Sequence, residues 1–191
     1  MIDNAADPVR VAAIVAAALE QLGVPYSIGG SLASSFSGEP RSTLDVDILA
    51  ALGQSHIAPL SAALEDAFYV DRAALERAVR DRSSANVIHL GTSVKVDLFV
   101  AGGSELDDEL LQRRLPVALG DEPLNRLYVH TPEDILLQKL RWYRRGGETS
   151  DRQWRDVLGI VRVQGGRLDR QYLETGAARL GVSDLLLRVL G

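Results

Sequence analysis

Two short stretches of this 191-residue chain place carboxylates where apolar residues prevail. In Leu44-Asp45-Val46-Asp47-Ile48-Leu49, a strand period of two sets Leu44, Val46 and Ile48 on one face and Asp45 and Asp47 on the other. Cα atoms two residues apart on a strand lie roughly 6.5–7 Å from each other, so both carboxylates can converge on one site. Aspartate is depleted in strands, and two on one face repel each other. A divalent cation that prefers oxygen ligands, Mg2+ or Mn2+, resolves that conflict. The alternative is an edge strand with a solvated polar face. In Val94-Lys95-Val96-Asp97-Leu98-Phe99-Val100, Lys95 and Asp97 again point away from an apolar face. If the two strands are neighbours, Asp97 completes a triad with Asp45 and Asp47. Three carboxylates around one or two metals are an apparatus for in-line phosphoryl or nucleotidyl transfer. The metals stabilise the attacking and leaving oxygens, and a carboxylate accepts the nucleophile's proton.

Two further features suit phosphate. Gly29-Gly30-Ser31 falls at a strand-to-helix junction, where backbone N–H groups and the helix dipole favour an anion and the Ser31 hydroxyl can donate to it. No Gly-Lys-Ser/Thr follows, so this is not a Walker loop; taken alone, Gly-Gly-Ser is a weak signal that usually marks a turn. Lys139 lies on a helix with Ile135, Leu136, Trp142 and Tyr143 at −4, −3, +3 and +4, which places it on the inward face. An ammonium there needs an anionic partner or loses its charge, unless the stem is buried and the head reaches water. A triphosphate is the partner we expect.

Gly30-Ser31, thirteen residues, then Asp45-Val46-Asp47-Ile48, with Asp97 on a later strand, resembles the signature of the polymerase-β-like nucleotidyltransferase superfamily. The run Gly29-Gly30-Ser31-Leu32-Ala33, followed by Gly38-Glu39-Pro40-Arg41-Ser42-Thr43-Leu44-Asp45-Val46-Asp47, is similar to the AbiEii/MenT-type branch, nucleotidyltransferase toxins of toxin–antitoxin pairs. The resemblance spans Tyr26 to about Val161. It implies an α/β (α+β) fold, a small mixed sheet with flanking helices and a C-terminal helical part. It implies Mg2+-dependent transfer of an NMP group from an NTP to an acceptor hydroxyl, with release of pyrophosphate. Asp45, Asp47 and Asp97 would hold metal. Gly29, Gly30, Ser31, Lys139 and the Asp156 of Arg155-Asp156 would bind nucleotide, with Lys139 also serving catalysis. The branch implies an RNA acceptor, a tRNA 3′ end, and a cognate antitoxin. Aminoglycoside nucleotidyltransferases share this core and modify small molecules, and a non-catalytic nucleotide- or partner-binding module is a further alternative.

These residues need elements to position them. The patterning predicts helices at Asp7–Leu22, Ser31–Ser37, Ser55–Phe68, Ala73–Arg82 and Glu105–Arg113. Strands are predicted at Pro25–Ile28, Leu44–Ala50, Asn86–Leu90, Val94–Val100 and Leu127–His130, and only helices from Thr131 onward. Asp7-Pro8 and Thr131-Pro132 read as helix starts, a capping side chain followed by proline at the first helical position; Gly23 reads as a stop. We therefore expect a nucleotidyltransferase core over 1–130 and a helical part over 131–191.

Charge follows the same division. Residues 1–138 carry ten basic and twenty acidic side chains, whereas 139–191 carry eleven basic and six acidic, so the overall −5 averages an acidic half and a basic tail. The tail suits phosphate, or is an arginine-rich solvated surface. Nineteen of the basic residues are arginine; Lys95 and Lys139 are the two lysines. The absence of cysteine excludes thiolate nucleophiles, disulfide scaffolds and Cys-ligated zinc. The apolar run Val11–Leu19 follows Asp3 and Asp7 rather than a basic segment, and no stretch reaches membrane-spanning length, so a cytoplasmic protein with no membrane partner is expected. Arg41 and Thr43 either line the phosphate site or shape the turn. Phosphorylation of Thr43 would place about −1.5 to −2 charges beside the carboxylates and inhibit. Lys95 supports Asp97 or is solvated. His56, His89 and His130 read as surface or packing residues, and Trp142 and Trp154 as core.

Overall fold

The side chain of Asp7 accepts the Val9 N–H at 2.9 Å and Pro8 takes the first helical position, so α1 (Pro8–Gln21) starts where its cap requires and stops before Gly23, at φ +66°. The computed structural model describes residues 7–40, 42–119 and 126–191. Asp3 and Arg41 lie outside the described residues.

Seven strands among these residues form one mixed sheet. They are β1 (Tyr26–Ile28), β2 (Asp45–Ala50), β3 (Phe68–Val70), β4 (Ser84–His89), β5 (Lys95–Val100), β6 (Leu115–Ala118) and β7 (Arg126–Val129), in the order β3-β4-β5-β2-β1-β7-β6. Strand β2 runs antiparallel to β1 and parallel to β5. Val46, Ile48, Val87, Val96 and Leu98 are fully buried on one face, against α1 and α4 (Arg72–Asp81), with α3 (Gln54–Leu64) packed on both helices. A one-residue slip of β2 would drive Asp45 and Asp47 into that core, so its register is fixed. On the other face, Leu49 joins Ala101 and the Leu110 and Leu111 side chains of α5 (Glu105–Arg113) in a small apolar cluster. The carboxylate end of that face stays polar.

The predicted helix at Ser55–Phe68 is corrected. It ends at Leu64, and Phe68-Tyr69-Val70 forms β3, paired with His89, Ile88 and Val87 of β4. Three residues show no period, but their aromatic and β-branched types suit a strand. Strand β6 was also not predicted; its Pro116 lacks an N–H and is tolerated because β6 is an edge. Strand β4 starts two residues earlier than expected, at Ser84.

The described residues form two compact units, residues 7–32 with 42–119 and 126–130, and residues 33–40 with 131–191. The first holds the entire sheet. Helix α2 (Gly30–Ser37) begins in the first and ends in the second. The second contains α6 (Pro132–Arg145), α7 (Asp151–Gln164), α8 (Arg170–Leu180) and α9 (Ser183–Leu190). Thr131 caps α6 by accepting the Asp134 N–H at 3.1 Å. The buried Asp134 carboxylate accepts from the Thr131 hydroxyl at 2.7 Å and from the Tyr172 hydroxyl of α8 at 2.6 Å, which ties α8 to the start of α6. Among the described residues no helix is long and apolar enough to cross a membrane.

Candidate active site

The parallel pairing of β2 with β5 sets Asp47 level with Asp97 and Asp45 level with Lys95. The polar ends of both strands therefore share one face. The Lys95 ammonium lies 2.8 Å from Asp97 Oδ2 and 3.9 Å from Asp45 Oδ1. Its hydrogen bond to Asp97 raises the Lys95 pKa against the cost of desolvation, and the charges of Asp97, Asp45 and Asp47 add to the rise. Lys95 supports Asp97, the first of the two roles its sequence position allowed.

The glycine turn meets this face through Asp47. Gly30 has φ +58°, and a Cβ added there would lie 1.8 Å from Asp47 Oδ2. The carboxylate thus rests against a backbone that no side chain could share. The Gly29 N–H donates to the Asp47 carbonyl at 2.9 Å. A Cβ on Gly29 would lie 2.9 Å from both Cδ2 and Nε2 of His130. The His130 ring is in turn held by the Ser27 hydroxyl, 2.7 Å from Nδ1, with both residues buried. Each glycine is required by a different neighbour. His130 is a packing residue, as one of its readings had it, but the backbone it packs on is the phosphate-loop candidate. A buried serine in Tyr26-Ser27-Ile28 was the available signal, because a buried hydroxyl needs a partner. Ser31 follows in the first turn of α2.

Asp45, Asp47 and Asp97 offer only oxygen donors, the chemistry that Mg2+ and Mn2+ take. Among the described residues, however, no three acidic or histidine side chains are gathered into a metal-binding cluster. Lys95 draws on Asp97 and Asp45, while Asp47 lies against Gly30. The donor set fits a hard cation in type and register, and its oxygens must turn to a common point to coordinate one. Thr43 belongs to the turn: its buried hydroxyl donates to the Asp45 carbonyl at 3.1 Å and lies 3.3 Å from the Asp45 N–H. Of its two readings, lining the phosphate site or shaping the turn, these bonds favour the turn.

The second unit contains the other named residues. Lys139 lies on the buried face of α6, and its ammonium is 2.7 Å from Asp156 Oδ2 of α7 and 3.4 Å from Gln153 Oε1. The side chains of Lys139 and Asp156 are 6% and 8% exposed. The chain itself supplies the anion that an inward ammonium demands. Trp142 is not core, being 53% exposed with the Arg145 guanidinium over its ring at 5.4 Å. At +4 from Lys139, Tyr143 takes the inward place that Trp142, at +3, was expected to share. Trp154 is half-buried between Tyr143 and the Arg188 guanidinium. Arg144 is committed to Asp184 at 2.6 Å and Glu148 at 3.0 Å.

No family model matches the sequence, and no curated protein matches it. Among solved structures, the chain is similar to the antibiotic-resistance factor ANT(2'')-Ia, with 14% identity over 94% of each chain and a TM-score of 0.56. It is similar to an antigenic nucleotidyltransferase-like protein from Paracoccidioides brasiliensis, with 22% identity over 95% of this chain and 91% of that one, at a TM-score of 0.55. It is also similar to the lincosamide antibiotic adenylyltransferase LnuA, with 14% identity over 84% of this chain and 99% of that one, at 0.53. The fold is of the nucleotidyltransferase type. The expected architecture, a mixed sheet with flanking helices and a helical C-terminal part, is the one observed.

Proposed function

We propose that this chain is a Mg2+-dependent nucleotidyltransferase. The observation that carries the reading is the alignment of Asp47 with Asp97 on neighbouring parallel strands, with Asp45 on the same face and the Gly29-Gly30 turn against Asp47. In the reaction, an acceptor oxygen bonds to the α-phosphorus of an NTP, the bond to the β-phosphate bridge breaks, and pyrophosphate leaves. Asp97 accepts the hydroxyl proton. The Gly29-Gly30 backbone and the Ser31 hydroxyl hold phosphate. Mg2+ held by Asp45, Asp47 and Asp97 would supply charge stabilisation for the phosphoryl oxygens. Lys139, as a cation for pyrophosphate, and Asp156 enter the reading through the resemblance.

For the acceptor, the reading is a tRNA 3′ end, with the chain as the toxin of a toxin–antitoxin pair. Its support beyond the resemblance is charge: the net +5 of residues 139–191 suits an anionic backbone and opposes a polycation. A small-molecule acceptor is the second reading, favoured by the structural likeness to an antibiotic adenylyltransferase. The experiment presents labelled ATP, GTP, CTP and UTP with Mg2+ to total RNA and, separately, to a set of hydroxylated small molecules. Incorporation into RNA, abolished by Asp47→Asn and by Asp97→Asn, is expected. Label in the small molecules favours the second reading. Thermal stabilisation by Mg2+-NTP with no turnover on any acceptor would identify a binding module, and equal incorporation by both variants would sink the mechanism.

A further inference from the structure

Lys95 stands opposite Asp45 in the β2–β5 register and two residues before Asp97 on the same face, with its ammonium 2.8 Å from one carboxylate and 3.9 Å from the other. We propose that Lys95 is a built-in competitor for the metal: its ammonium holds the cation position between Asp97 and Asp45, and a divalent ion coordinating them displaces it. The inference rests on these carboxylates being the metal ligands, as in the proposed function.

Three observations carry it. First, Mg2+ binds carboxylate oxygens at about 2.0–2.1 Å with strict octahedral demands. An ammonium hydrogen-bonded to the same oxygen would lie within a few ångström of the ion, and like charges at that range repel. Second, the displacement is physically open. Side-chain exposure is 22% for Asp97, 40% for Lys95 and 57% for Asp45, so the ammonium can swing into water without stranding a buried charge. Third, the residue type suits release. Lysine is a point charge on a flexible four-carbon stem, whereas an arginine fork would grip a carboxylate through two bonds. A chain that uses arginine at nineteen of its basic positions has lysine here. The pair therefore keeps Asp97 and Asp45 from repelling each other until a stronger cation arrives, and it sets the concentration at which that cation succeeds.

The test is Mn2+ binding to the full chain without nucleotide, by isothermal calorimetry and by the electron paramagnetic resonance signal of free Mn2+. Lys95→Met and Lys95→Gln are expected to bind Mn2+ about five- to tenfold more tightly than wild type, an order set by removing one nearby unit charge at a half-exposed site. Lys95→Arg is expected to bind no more tightly than wild type. Circular dichroism melting confirms that each variant is folded, and two neutral variants guard against a fault in either. Unchanged or weaker binding in both neutral variants overturns the proposal. Asp97→Asn and Asp45→Asn separate the two levels. If they abolish Mn2+ binding while Lys95→Met leaves it unchanged, only the competition fails. If they leave the titration as in wild type, the carboxylate site fails and the competition with it.

Discussion

Lys95 and Lys139, the two lysines of the chain, reach an aspartate at almost the same distance, 2.8 and 2.7 Å, and their surroundings make the pairs opposites. The Lys95–Asp97 pair lies on a sheet face open to water, and the Lys139–Asp156 pair is sealed between α6 and α7. Contact length does not set the energy of an ion pair; the cost of leaving one partner alone does. In water that cost is small and the pair is exchangeable. Where the side chains are less than a tenth exposed, an orphaned charge cannot be solvated, and the pair is fixed. The open pair is the one proposed to yield to a divalent ion, and the buried pair joins α6 to α7.

The largest effect is expected from breaking the buried pair. Lys139→Ala or Asp156→Ala should cost about 3–5 kcal/mol, read in urea unfolding, while Lys139→Met with Asp156→Leu should recover most of it. A loss below about 1 kcal/mol in either single variant would erase the difference between the two pairs.

Next come the glycines that support the open site. Gly29→Ala pushes a methyl into the His130 ring and should destabilise the chain by about 1–3 kcal/mol. His130→Ala in the same chain makes room, so the double variant should be more stable than the sum of the single losses predicts, in a double-mutant cycle. Strict additivity would show that the ring does not bear on the turn.

The smallest effect is expected at the open pair. Lys95→Met should change stability by less than about 1 kcal/mol at neutral pH. Because the folded-state pKa of Lys95 is raised, its contribution is present below the unfolded value and is lost as pH rises through the folded one. The wild-type and Lys95→Met melting curves should therefore converge in strong alkali. Divergence there would mean that the lysine stem, not its charge, supports the strand.

Much of this was legible beforehand. Alternation in Leu44–Leu49 and Val94–Val100 showed two strands with carboxylates on the polar side, because side chains alternate whatever the strand pairs with. Asp7-Pro8 and Thr131-Pro132 marked helix starts because capping is local chemistry between residues two or three apart. What was missed is either short or non-local. The three residues of β3 are too few to display a period, and β6 carries a proline that only an edge position explains. The contact of His130 with Gly29 joins residues about a hundred positions apart.

The sequence alone determined which sides of β2 and β5 are polar and which apolar, since that follows from the strand period and from the cost of burying charge. It also set Lys139 among apolar neighbours, where its ammonium either finds an anion or reaches water. Only the tertiary structure decided that Asp156 is an anion it pairs with, that Asp47 stands level with Asp97, and that Lys95 comes between Asp97 and Asp45. Strand register and helix packing are settled by burial summed over whole faces, and no local window of sequence contains that sum.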